Sequence, residues 1–136
     1  MTTLVDTSVW SLLLRKRGPT DHWAVRRLTR LIEHRQRVAL TGVILQEILA
    51  YFRSDEVAAS VAVRLRPFPL LEPTRADHES AAALFRHARA HGVAATTVDC
   101  LIASVAASHD AELLTTDGDF ARLVPLAGIR LTPPEE

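Results

Sequence analysis

Five acidic side chains of this 136-residue chain stand where an apolar run meets a helix or a turn. Asp6 closes the apolar pair Leu4-Val5 and opens a helical stretch, a position at which Asp serves as an N-cap by accepting a backbone N–H. Glu47, in VILQEILAYF, has Val43, Ile44 and Tyr51 three and four residues away, which puts a carboxylate on an apolar helix stripe. A core-facing carboxylate needs a partner. A buried pair with an Arg such as Arg53 gains little after desolvation, which leaves a functional role as the better reading. Asp99 follows Thr96 by three, the spacing of a capping box with Asp in place of Glu or Gln, so cap and metal ligand both fit it. Asp117 precedes Gly118 in a turn dipeptide; the turn accounts for the glycine but not for the second acid, Asp119.

Carboxylates gathered in one pocket repel. Each like pair at ~4 Å costs on the order of 4 kcal/mol at an effective dielectric of 20, so the group must protonate or bind cations. Oxygen donors without an accompanying Cys or His cluster select hard ions, Mg²⁺ or Mn²⁺. The chemistry suited to such ions on carboxylates is phosphoryl transfer by an activated water, with no protein general base required.

The elements that must position these acids follow from patterning. Strands are expected at Thr2 to Val5, Arg37 to Thr41, Phe68 to Leu71, Glu112 to Thr115 and Gly128 to Leu131. Helices are expected at Thr7 to Arg15, Asp21 to Arg35, Val43 to Arg53, Asp55 to Arg66, Arg75 to His91 and Thr97 to His109. The third last of these boundaries is set by Pro67, which disfavours helix before it, and the Ala-rich helix ends at Gly92, suited to a left-handed C-terminus. A loop holds Gly18 and Pro19, and Thr132 to Glu136 forms a short polar tail. Strands separated by helices imply an α/β fold with a mostly parallel central sheet and helices on both faces, a three-layer sandwich. Ligands of such sheets bind beyond the carboxyl ends of the strands, where Asp6 and Asp117 fall.

The length suits one domain, residues 1–136. No apolar run approaches the ~20 residues of a membrane span, and MTTLVDTSVW carries no signal-peptide pattern, so a soluble cytoplasmic protein is expected. The lone Cys100 forms no internal disulfide, which suits a reducing compartment among others. The formal net charge is zero, yet with the five acids neutralised by metal, eleven acids face sixteen bases and the remaining surface is net positive. Fifteen of those bases are Arg, the group best matched to planar contact with phosphate. A genomic preference for Arg codons explains the same count. The Arg26 to Arg37 stripe reads as a solvated helix face, with RNA contact as the alternative. Trp10, Leu12 and Leu13 read as core, with a dimer or partner surface as the alternative.

The stretches LVDTSVW, TGVILQEIL, TTVDCLIAS and LLTTDGDF, in this order, resemble the four acidic motifs of PIN-domain ribonucleases, and are most similar to VapC-type toxins of toxin/antitoxin modules. The resemblance covers nearly the whole chain. It implies Mg²⁺- or Mn²⁺-dependent endonucleolytic cleavage of RNA, a homodimer, and inhibition by a cognate antitoxin peptide at the acidic pocket. Position by position, Asp6, Glu47, Asp99 and Asp117 match the metal-binding acids, and Asp119 lies where many members carry another. Ser8 matches a supporting hydroxyl, and Thr116 is a second candidate for that role.

Competing readings are weaker. A phosphoacceptor domain needs a Lys near the last strands, and the chain's one Lys is Lys16. A noncatalytic RNA- or protein-binding module would be marked by a lost acid, and all four motifs keep theirs. His87 and His91 share a helix face, but Ala88 stands where a zincin needs Glu. No G-x-S-x-G turn supports a serine hydrolase.

Overall fold

A computed structural model describes residues 1–15 and 21–135. Lys16, the expected loop at Gly18 and Pro19, and Glu136 lie outside the described residues. The element order is β1 (Thr2–Val5), α1 (Thr7–Leu14), α2 (Trp23–Glu33), β2 (Arg37–Ala39), α3 (Gly42–Tyr51), α4 (Asp55–Leu65), α5 (Arg75–Ala90), α6 (Thr97–Ser108), β3 (Glu112–Leu114), α7 (Asp119–Ala127) and β4 (Arg130–Leu131).

The four strands pair in parallel in the order β2-β1-β3-β4. Adjacent residues of a strand point to opposite faces. Leu4 and Val5 are both fully buried, as are Leu113 and Leu114, so both faces of the sheet are covered. The covers are two separate helix groups: α1 packs on α2 and α3, with α4 on α3, while α5, α6 and α7 pack on one another. The expected α/β/α sandwich is therefore the architecture. Its central strands diverge in their connections, β1 crossing outward to β2 and β3 crossing the other way to β4. That divergence leaves a crevice at the carboxyl ends of β1 and β3. Val5 pairs with Leu114, and the Asp6 N–H donates to the Leu114 carbonyl at 2.9 Å, so the two strand ends are level.

Capping residues start the helices. Thr41, Ser54, Thr74 and Thr96 each accept an N–H from the third helical residue, and Thr74/Asp77 and Thr96/Asp99 complete reciprocal capping boxes. For α2 the cap is His22, whose ring accepts from the Ala24 N–H, while Asp21 pairs with Arg26 instead. Gly92 ends α5 with φ of +70°, the left-handed turn expected there. Trp10 is core: its indole N–H donates to the Val5 carbonyl at 3.0 Å and its ring meets Phe68 edge-on. Leu12 and Leu13 are half-buried.

Three expectations change. Phe68 to Leu71 is not a strand but a single bridge between Leu40 and Leu70. Pro67 and Pro69 have no N–H to offer a ladder, and the Pro69 carbonyl accepts from Leu40 instead. Second, α7 was not expected, because Pro125 sits inside it and removes one donor from its last turn. Phe120 and Leu123, both buried, anchor it, and Gly128 closes it at φ of +65°. Third, the polar tail is tied down: Thr132 is buried and continues the pairing of β4 by donating to the Leu113 carbonyl.

Asp77 is 5% exposed, and its Oδ2 accepts the Thr74 N–H at 2.8 Å. Burial works to raise its carboxyl, but Thr74, Ser108 and the His109 charge outweigh burial and hold it below the ordinary value of 3.8. A lowered folded value stabilises above the unfolded one and is lost as pH falls through the folded one. Asp77→Ala is thus expected to lower unfolding free energy by about 1 kcal/mol at neutral pH. In denaturant titrations the deficit should shrink below pH 3.8.

Candidate active site

Three of the acids meet at the crevice. One carboxylate oxygen from each of Asp99, Asp117 and Asp119 lies within 4.8 Å of the others, and all three residues are half-buried. Local structure places each of them. Asp99 is the third residue of α6, where its N–H donates to Thr96 Oγ1 at 3.0 Å and its Oδ2 accepts from the Thr96 N–H at 3.3 Å. The side chain that caps α6 is thus also one of the three that converge. Asp117 precedes α7, and its Oδ1 accepts the Asp119 N–H at 2.9 Å. The turn around Gly118 fixes both acids relative to each other.

Asp6 stands just outside this group. It has the position of an N-cap for α1, but its side chain makes no capping hydrogen bond. Instead Oδ2 accepts from Ser8 Oγ and from Thr115 Oγ1, each at 2.9 Å. Thr115 Oγ1 in turn accepts the Asp117 N–H at 3.0 Å, which couples Asp6 to the triad through one hydroxyl. Ser8 Oγ also accepts the Thr116 N–H at 3.1 Å, joining the start of α1 to the end of β3. Ser8 thus bridges Asp6 and the segment after β3. Thr116 contributes its backbone alone, and the hydroxyl assigned to it from sequence belongs to Thr115. The alternation of an extended chain accounts for the difference, since it turns Thr115 and Asp117 to one side and Thr116 to the other. The signal was present in the repeated Thr of LLTTD, without the register.

Glu47 departs further from expectation. It is exposed, not core-facing, and its Oε1 accepts from Thr7 Oγ1 at 2.9 Å. The buried face of α3 is Ile44 and Ile48. Apolar residues surround most of this helix, so apolar neighbours alone did not identify which side is inward. No pair with Arg53 forms among the described residues. The Thr7 contact keeps Glu47 beside Asp6 and the start of α1, on the rim of the crevice.

The electrostatics suit a cation. Among the described residues, every ion pair lies elsewhere: Arg26 with Asp21, Arg27 and Arg30 with Glu135, Arg130 with Asp110. The triad thus has no protein counter-charge in contact, and its donors are all oxygen, the set preferred by Mg²⁺ and Mn²⁺. Burial raises the Asp6 carboxyl above 3.8, opposed by the Ser8 and Thr115 hydroxyls.

The fold and this carboxylate cluster at the switch point of a small parallel sheet are those of a nuclease-type α/β domain, and the sequence agrees. Residues 3–124 match the PIN domain family model, and the chain belongs to the PIN-domain family. Over 119 residues it is 34% identical to the VapC ribonuclease Mb1587 of Mycobacterium bovis, covering 86% of this chain and 87% of that protein. Ribonuclease VapC11 of Mycobacterium tuberculosis matches to the same extent, 34% over 119 residues with 86% and 87% coverage. Among solved structures, VapBC2 of Rickettsia felis superposes with a TM-score of 0.78 at 18% identity, covering 97% of this chain and 98% of that one. FitAcB of Neisseria gonorrhoeae gives 0.75 at 24% identity, covering 97% of each chain.

An Asp whose folded value is raised contributes most stability below the unfolded 3.8 and loses it as pH rises through the folded value. In metal-free buffer Asp6→Asn should therefore melt above the parent at neutral pH, because the amide keeps an oxygen acceptor for Ser8 and Thr115 without the desolvated charge. The two melting temperatures should converge below pH 3.8; an Asn variant that melts lower throughout would contradict the assigned burial penalty.

Proposed function

We propose that this chain is a metal-dependent endoribonuclease of the VapC type, a toxin held in check by a cognate antitoxin. The observation that carries the reading is the Asp99, Asp117 and Asp119 triad at the crevice, without a basic partner among the described residues. Identity of 34% to two VapC ribonucleases supports the same reaction class.

In this reading Asp99, Asp117 and Asp119 hold the divalent ion, Mg²⁺ or Mn²⁺, with Asp6 and Glu47 completing its acidic surroundings. The chemistry that such an ion supplies is activation of water for attack on a phosphodiester and stabilisation of the leaving oxygen. The chain's own part is placement. Ser8 and Thr115 orient Asp6, and Thr96 orients Asp99 through the cap. The Thr116 N–H donates to Ser8 and the Asp117 N–H to Thr115, which ties both hydroxyls to the segment that follows β3. Glu47, exposed, has its carboxylate held by the Thr7 hydroxyl, and it turns inward only by giving up that bond when cation and substrate arrive. The acidic pocket is also a counter-charge for an Arg-bearing antitoxin segment, and the chain is read as a homodimer acting in the cytoplasm. No helix among the described residues is long and apolar enough to cross a membrane.

Incubation of the purified protein with RNA and Mg²⁺, with and without EDTA, tests the activity. Asp99→Asn should abolish cleavage while leaving the protein folded, because Asn retains the oxygen that accepts from Thr96. Persistence of EDTA-sensitive cleavage in that variant would remove Asp99 from the site. Adding Mn²⁺ to the metal-free parent should raise its melting temperature, with about 2.7 kcal/mol of stabilisation at a hundred times Kd. The Asp99→Asn and Asp117→Asn variants should respond less.

A further inference from the structure

The basic stripe of α2 ends on an internal anion. Arg30 grips Glu135 in a two-pronged pair, Nη1 to Oε1 at 2.9 Å and Nη2 to Oε2 at 2.8 Å. Arg27, one turn earlier on the helix, donates to the same Oε1. The Glu135 side chain is 23% exposed, Arg27 30% and Arg30 49%, so the carboxylate is partly covered while the Arg30 side of the pair faces solvent. The two guanidiniums hold its carboxyl below the ordinary carboxylate value. Two guanidinium forks on one planar anion also form the arrangement that binds two oxygens of a phosphodiester.

The anion is delivered by a strap that little else holds. The last backbone hydrogen bond of the described chain is from Thr132 to Leu113. Pro133 and Pro134 follow, both exposed and both without an N–H. Three residues reach at most about 10 Å, so the Glu135 backbone lies within that distance of Thr132 and only its side chain carries the carboxylate on to the Arg pair. Thr132 pairs with β3 beside its carboxyl end, the end that carries Thr115 and Asp117. A polyanion engaged at the acid crevice needs cationic contacts away from the acids themselves, and α2 offers two adjacent ones, tied through Glu135 to the strap that leaves the end of β4.

We propose that Arg27 and Arg30 form a phosphate-binding site for single-stranded RNA, and that Glu135 occupies it in the free protein as a tethered competitor. This rests on the ribonuclease reading of the acid crevice. Substrate entering the crevice displaces the Glu135 carboxylate from the two forks, and the strap from Pro133 onward swings away without breaking a backbone pair. The arginines thereby discriminate between a strand long enough to out-compete the tail and a short fragment that is not.

The test uses a labelled single-stranded RNA oligonucleotide and the full-length Asp99→Asn protein in Mg²⁺, so that binding is read without cleavage. Adding Glu135→Gln should tighten binding by roughly five- to tenfold at low salt. The log–log salt dependence should steepen by about 1.4, the counterion release of two single-strand phosphate contacts. Glu33→Gln, on the same helix, makes the same charge change without touching the pair and should do neither. Adding Arg27→Gln and Arg30→Gln to the Glu135→Gln protein should return affinity and slope to those of the Asp99→Asn protein. If Glu135→Gln lowers the melting temperature but leaves affinity and slope unchanged, the tail is a structural latch only and the proposal is overturned. If the parent protein cleaves no RNA and no form binds it, the ribonuclease reading fails together with it.

Discussion

Repulsion among carboxylates at one crevice is the constraint to which the rest of this structure answers. Asp99, Asp117 and Asp119 approach within 4.8 Å without a basic neighbour among the described residues. What holds them is backbone: the Thr96 N–H on Asp99 and the Asp119 N–H on Asp117. Two of these acids open helices, where the unpaired N–H groups and the helix dipole favour negative charge. The fold thus aims helix N-termini at the crevice. At Asp99 and Asp117 it recruits one oxygen of each carboxylate for structure.

Sheet topology makes that convergence possible. With β1 and β3 adjacent, parallel and level at their carboxyl ends, residues more than a hundred positions apart become neighbours, and Asp6 reaches Thr115. The reason for the buried side is ordinary: Leu4, Val5, Leu113 and Leu114 have no exposed area, so a one-residue slip would turn fully apolar positions without altering burial. Register is pinned instead at the polar end, by the Asp6 N–H on Leu114 and the Ser8 and Thr115 bridges. The site and the alignment of the central strands are one network.

Much of this was legible from residues alone. The capping motif T-x-x-D located Asp99 at a helix start, and the short apolar runs located all four strands of the sheet. The convergence of Asp99, Asp117 and Asp119 was readable because each stands at a helix start or a turn that follows an apolar run. What could not be read was direction. Glu47 was expected to face inward because nearly every neighbour on its helix is apolar, a pattern that gives period without phase. The supporting hydroxyl was assigned one residue late in a Thr-Thr pair, because sequence does not say which of two adjacent residues faces the crevice. The helix after Asp119 was hidden by Pro125, whose local penalty is overridden by the burial of Phe120 and Leu123. The grip of Arg27 and Arg30 on Glu135 depends on the tail folding back across the molecule, which no local pattern encodes.

The capping box at Thr96 and Asp99 bears on how such a protein decays over evolutionary time. Asp99 serves the helix as well as the crevice, so a descendant that abandoned catalysis would still be selected to keep it. Asp119 has no such second duty, since its side chain accepts no hydrogen bond from any described residue. Among descendants of this chain, the fossil of a lost activity would therefore appear first at Asp119, while the acid at Asp99 could outlive the reaction it once served.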